Sequence, residues 1–210
     1  MAAVVEQLAT FEDESSIPFM DAQPQSTAPP KRFTFEQALE LADGRPFELI
    51  DGRMVFKMAD NFHAESQARL GAKLVFYFEA NPIGRARTES TIRLWPENPY
   101  ERRVPDIAVV LNENIREGER YDTHAPDLAI EIVAYDDRLS GFFEKARLYL
   151  EKGSRVVWIV DPYQKAVLVI TPNEQNWVHD TLTCPEVLPG FSINVQDIFN
   201  WPAATAKTAE

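Results

Sequence analysis

Apolar residues recur along the chain with two periods, and the switches between them mark out its elements. Thr34 precedes Phe35-Glu36-Gln37-Ala38-Leu39-Glu40-Leu41, which reads as a helix opening on a capping threonine with Gln37 three residues on. Gly44 and Pro46 stop it. Two strand-like runs, 47–50 and 53–58, flank Asp51-Gly52, a strong two-residue hairpin signal. His63, Leu70, Leu74 and Phe78 fall at helical spacing and predict a long helix over about 62–80. Strands are predicted at 87–95, 106–111 and 127–133. Phe142, Ala146 and Tyr149, at i, i+4 and i+7, predict a helix over 139–151 closed by Gly153. Two more strands, 156–160 and 166–170, flank a turn at Asp161-Pro162, and 188–199 holds a short strand and a helical turn. The order is hairpin, helix, three strands, helix, two strands. It predicts an α/β architecture, a mixed central sheet flanked by helices with an N-terminal hairpin extension.

Residues 1–30 carry no sustained period and end in the breaker-rich run Pro24-Gln-Ser-Thr-Ala-Pro-Pro30. They are expected to be a disordered acidic tail, with one domain over 31–202 and a frayed end at 203–210. With 210 residues, 45% of them hydrophobic, the chain can bury one proper core. Cys184 is the only cysteine, which excludes an intramolecular disulfide and a cysteine-built zinc site. A reducing compartment fits that usage. No apolar run reaches the roughly 20 residues that cross a bilayer, and no basic-then-apolar start resembles a signal peptide. The expected location is cytoplasmic.

The net charge of −12 weighs against a protein that grips nucleic acid over a broad basic face. Five acids (Glu6, Glu12, Asp13, Glu14, Asp21) sit in the first 30 residues without a Lys or Arg, yet the remainder is still acidic. Any basic surface must be local. The richest stretch holds Arg85, Arg87, Arg93, Arg102 and Arg103, and the first three share the parity that would put them on one face of a strand.

Buried charge points to chemistry. Asp127-Leu-Ala-Ile-Glu131-Ile-Val is a nearly continuous apolar strand with Glu131 in its middle, where a lone carboxylate is costly unless paired, protonated or bound to a cation. Val104-Pro105-Asp106-Ile-Ala-Val-Val-Leu repeats the pattern with an acid at its head. On the helix that follows Glu131, Lys145 lies on the side of Phe142 and Tyr149, so it needs an anionic partner, and Glu131 is the nearest along the chain. Two strand acids and an inward lysine suit phosphodiester hydrolysis. The carboxylates would hold Mg²⁺, and the lysine would orient water or stabilise charge on the phosphate.

Six motifs in order carry a resemblance: Phe47-Glu48-Leu-Ile-Asp51-Gly52, Val104-Pro105-Asp106, Pro126-Asp127-Leu-Ala-Ile-Glu131-Ile-Val, Lys145-x-x-x-Tyr149-x-x-x-Gly153, Val157-Trp158-Ile-Val-Asp161-Pro162 and Leu188-Pro189-Gly190. Over residues 33–200 the chain resembles the Uma-two family, within the PD-(D/E)XK restriction-endonuclease-like superfamily. The resemblance implies a restriction-endonuclease-like core and a metal-dependent endonuclease. It implies Asp106 and Glu131 as Mg²⁺ (or Mn²⁺) ligands, Glu48 as a further catalytic acid, DNA as partner and a homodimer. His63 matches a histidine frequent in the family, a possible accessory residue. The superfamily's lysine position, two after the second acid, is Val133 here, and the family is thought to use the following helix, hence Lys145. Ala134-Tyr135-Asp136 stands where the family more often has Ser-Pro-Ser.

Simpler readings stand beside these. Glu131 and Lys145 would also serve as a structural ion pair, Lys145 would also reach solvent, and Glu48 alternates with Phe47 and Leu49 as the exposed face of a hairpin would. Asp127 would simply begin its strand, and Trp158 is core. The rival to an enzyme is a catalytically inactive nuclease-fold binding or interaction module, and a third reading is a metal-dependent phosphodiesterase acting on RNA or a nucleotide.

Overall fold

The computed structural model describes residues 31–200; the expectations for 1–30 and 203–210 fall outside them. Helix α1 (Phe35–Ala42) opens on the anticipated capping box, in which Thr34 Oγ1 accepts from the Gln37 N–H at 3.3 Å and Gln37 Oε1 accepts from the Thr34 N–H at 3.0 Å. Strands β1 (Phe47–Ile50) and β2 (Arg53–Phe56) pair across Asp51 and Gly52, with φ of 50° and 74°. Two positive φ values are what a type I′ turn requires, so Asp-Gly is the chemically matched pair. A Cβ on Gly52 would also lie 2.8 Å from the Cβ of Arg32.

Helix α2 (Asn61–Ala80) is capped by the Asp60 carboxylate, which accepts from the His63 N–H at 3.0 Å. The main sheet follows: β3 (Gly84–Thr88), β4 (Ile107–Leu111), β5 (Leu128–Ile132), β6 (Val156–Asp161), β7 (Ala166–Ile170) and β8 (Gln175–Val178), adjacent in that order. All neighbours run antiparallel except β5 and β6, which are parallel and joined by helix α3 (Leu139–Glu151) as the crossover. Strands β9 (Thr181–Cys184) and β10 (Leu188–Asn194) form a separate ribbon, and α4 (Gln196–Phe199) closes the described chain.

The sheet is covered on both faces, and alternation along β5 sorts its residues between them. Leu128, Ile130 and Ile132 join Leu70, Leu74 and Phe78 of α2 and Trp158 in one core. Ala129 and Val133 join Phe142, Ala146 and Tyr149 of α3 in another. Glu131 shares the parity of the second set, so it is aimed at α3. A third cluster ties Phe35, Ala38 and Ala42 of α1 to Phe47 and Leu49 of the hairpin.

Three expectations need correction. The strand expected at 87–95 ends at Thr88, because Glu89 turns left-handed (φ 50°) and Ile92 beyond it makes only isolated bridges to Arg103 and Asp122. Strands β8 and β9 went unread: Gln-Asn-Trp-Val offers little apolar contrast, and Thr-Leu-Thr-Cys alternates with period two but over only four residues. The five arginines form no basic face. Arg85 pairs with Glu117, Arg87 with Asp122 and Arg103 with Glu101, while Arg102 lies over Phe47 and Arg93 bonds the Pro96 carbonyl.

Candidate active site

Strand register decides whether two acids meet. Ile107 of β4 faces Ile130 of β5 in an antiparallel pair, so one step outward Asp106 stands opposite Glu131. Directly opposed residues share a face of the sheet. Both acids are 1% exposed, and both line a cavity of about 640 Å³. Glu48 and Lys145 line it too, as does His63. The structure therefore brings together all five residues singled out in the sequence.

Each carboxylate is held at both oxygens. Asp106 Oδ2 accepts from the Ile132 N–H at 2.6 Å and lies 3.2 Å from His63 Nε2, while Oδ1 accepts from Lys57 Nζ. Glu131 Oε1 accepts from the Tyr149 hydroxyl at 2.9 Å, and Oε2 from Lys145 Nζ at 3.0 Å. Glu48 Oε1 accepts from the Val104 N–H at 3.0 Å, and its Oε2 lies 3.0 Å from the same Lys145 Nζ. Glu48 is thus buried rather than on an exposed hairpin face. Phe47 and Leu49 turn to α1 and the opposite parity turns to the cavity. Asp127 stands apart, accepting from the Leu111 N–H at 2.8 Å and from Asn114, as a strand-opening acid would.

The charge balance is uneven. Burial alone would lower the pKa of Lys145, but Glu131 and Glu48 override it and hold the ammonium firmly charged. Burial raises the pKa of Glu131 to about 7; Lys145 opposes this, and Asp106 adds to it. The two partners differ because one ammonium is shared by two buried acids. The lysine is over-compensated and Glu131 is under-compensated. Asp106 is in the opposite position. Despite its burial, the hydrogen bond from His63 and the ammonium of Lys57 hold its pKa down at about 2. His63 is raised in return by Asp106, against its own burial.

Four participants were not read from the sequence: Lys57, Glu89, Gln67 and Tyr149. Lys57, just beyond β2, bonds Asp106, the Val104 carbonyl at 2.9 Å and Glu89 at 3.4 Å. Gln67 donates to Glu89 Oε1 and to the Asp106 carbonyl, each at 2.9 Å. Its position one turn after His63 on the same helix face was the available signal. Tyr149 was read only as core.

A divalent cation fits this donor set by charge and by ligand type. Glu48, Glu89, Asp106 and Glu131 outweigh Lys57 and Lys145, and all four offer hard oxygen ligands. Among the described residues no three His, Cys, Asp or Glu side chains stand close enough to ligate one ion together. Mg²⁺ is commonly held by only one or two protein carboxylates, with water and substrate phosphate completing its shell. Asp106 and Glu131 are the pair that would hold it.

Acids at the adjacent ends of two core strands are met here by a lysine from the crossover helix. The model of the Uma2 family, described as "Putative restriction endonuclease", matches residues 34–196, and the chain belongs to that family. A crystal structure of a putative nuclease belonging to DUF820 from Anabaena variabilis ATCC 29413 superposes with a TM-score of 0.68 at 22% identity, covering 80% of this chain and 97% of that one. It shows the same fold. A cryoEM structure of a DrdV–DNA complex aligns over 64% of this chain and 12% of its own at 10% identity, with a TM-score of 0.31, too low to define a shared fold. A search of curated proteins finds no match. Among the described residues no helix is long and apolar enough to cross a membrane.

Proposed function

We propose that this protein is a metal-dependent endonuclease that hydrolyses phosphodiester bonds of DNA, using Asp106, Glu131, Glu48 and Lys145. The observation that carries the reading is the shared ammonium. Lys145 is held charged between two buried acids, one of which remains short of positive charge. Such a site takes up a cation and a phosphate together more readily than either alone. A bound Mg²⁺ would neutralise phosphate charge and make its bound water more acidic.

The chain's own residues divide the remaining work. Lys145 Nζ presents a fixed positive charge to the cavity, where negative charge develops on the phosphate oxygens. Tyr149 locks the rotamer of Glu131, and the Ile132 N–H and His63 orient Asp106. Glu131, whose enclosure raises its proton affinity towards neutrality, would give up that proton on holding a cation. Lys57 covers Asp106 and must swing away, or trade Asp106 for a phosphate, when a cation enters.

One observation favours the second reading, a non-catalytic binding module. With Lys57 and Lys145 in place, the carboxylates are already internally paired. Supercoiled plasmid separates the two. Nicking in Mg²⁺ or Mn²⁺ that stops with EDTA and with Asp106→Asn supports the enzyme. Absence of cleavage by the wild type in both metals, on plasmid and on short DNA, would favour the module.

A further inference from the structure

Beside the cavity three aromatic side chains stand unusually open to solvent: Tyr135 is 78% exposed, Phe62 60% and Tyr163 41%. Their rings meet edge to face, Phe62 to Tyr163 with centroids 5.8 Å apart and Tyr135 to Tyr163 at 5.9 Å. Each edge-to-face contact occupies one ring face and leaves the remaining faces uncovered.

The cluster is held from below by one carboxylate. Asp60 Oδ2 accepts from the Tyr135 N–H at 2.8 Å and from the Tyr163 hydroxyl, while Oδ1 caps α2 through the His63 N–H. Asp137 closes the same loop by accepting from the Ala134 N–H at 2.9 Å. The segment Ala134-Tyr135-Asp136, which departs from the family's usual Ser-Pro-Ser, is therefore pinned in place. The platform is also continuous with the site. Phe62 precedes His63, and the Tyr135 loop runs on to Asp137 and Arg138, which line the cavity. Arg138 is exposed, and among the described residues its guanidinium forms no ion pair or side-chain hydrogen bond.

We propose that Phe62, Tyr135 and Tyr163 form a stacking platform for unpaired bases of a DNA strand, with Arg138 meeting the adjoining phosphate as the strand enters the cavity. The inference rests on the nuclease reading and narrows its substrate to single-stranded, frayed or flipped-out nucleotides. Two observations select unpaired bases over an intact duplex. A duplex presents phosphates and groove edges, for which Asp60, Asp136 and Asp137 are poor company. A splayed strand presents ring faces, which fixed aromatic rings bind without relying on a basic surface.

The test is fluorescence anisotropy of the full-length protein in EDTA, with three labelled probes: a mixed-sequence DNA single strand, the matching duplex, and a strand with abasic sites at its centre. The wild type should bind the intact single strand roughly tenfold or more tightly than the other two. Tyr135→Ala should erase that preference and Tyr135→Trp should restore it, with unchanged melting curves because the ring is exposed. Equal binding of intact and abasic strands, or of single strand and duplex, would overturn the proposal. So would no binding by the wild type. Self-association abolished by Tyr135→Ala, with strand binding unaffected, would assign the rings to contact between copies and also overturn it. Because binding is read without metal, ring-dependent binding with no cleavage under any metal would sink the nuclease reading alone. Plasmid cleavage with ring-independent binding would sink the platform alone.

Discussion

Replacing Glu131 by glutamine should make the protein inactive and more stable. The carboxylate is fully enclosed and shares Lys145 with Glu48, so burial holds its pKa at about 7 against an ordinary 4.5. A folded-state value above the unfolded one means that the native chain binds this proton more tightly. Stability from the group is then fully present below about pH 4.5 and is lost as the pH rises through 7. At about 1.4 kcal/mol for each pH unit, the displacement amounts to about 3 kcal/mol above pH 7. Glutamine is neutral at every pH and keeps an acceptor for Lys145. Its amide must turn a donor towards the Tyr149 hydroxyl, which gives back about 1 kcal/mol. The net expectation is a gain of about 2 kcal/mol at pH 8, a rise in Tm of roughly 4–8 °C for a chain of this size, and almost none at pH 4. Thermal and urea melts of both proteins at pH 4, 6 and 8 measure it. A variant less stable than the wild type at pH 8, or a gain independent of pH, would refute the reasoning.

Three further substitutions separate the roles. Lys145→Met strands two buried acids and should cost about 3–5 kcal/mol at pH 8 by urea titration, with less at pH 5 where Glu131 takes a proton. Its plasmid cleavage should fall by at least roughly a hundredfold, and undiminished cleavage by the folded variant would remove Lys145 from the reaction. Tyr149→Phe leaves Glu131 Oε1 without its donor and should destabilise by about 1–3 kcal/mol at pH 8, again with less at pH 5; equal losses at both would contradict the coupling. Asp106 has its folded-state pKa depressed from 3.8 to about 2, so its contribution is present above pH 4 and lost as the pH falls towards 2. Asp106→Asn should therefore lose about 2 kcal/mol less than the wild type over that interval, measured by acid titration of the melting free energy.

What could be read from the sequence was local or periodic. Thr34 and Gln37 sit three apart, Asp51-Gly52 dictates its turn, and the stripe Phe142, Ala146, Tyr149 gave α3 to the residue. Glu131 was readable because a charge amid apolar strand residues demands a partner, and the same logic pointed to Lys145 before any geometry was known. Glu48 was harder. Its alternation was read correctly, but whether the second face of a hairpin meets water or another element is decided by packing far along the chain. Lys57 shows the limit most clearly, since its partners Glu89, Val104 and Asp106 lie 32 to 49 residues away. The end of β3 at Thr88 was missed because Ile92-Arg93-Leu94 resumes a strand-like alternation after the polar run 88–91, in which Glu89 turns left-handed.

The pairing of Asp106 with Glu131 as a cation site is tested most directly by anomalous diffraction from crystals grown in Mn²⁺. The expected result is a single strong peak ligated by both carboxylates, lost in Asp106→Asn, with Lys57 moved off Asp106. No peak in the cavity at saturating Mn²⁺, or one bound elsewhere while Lys57 and Lys145 keep their present partners, would contradict the metal-dependent reading.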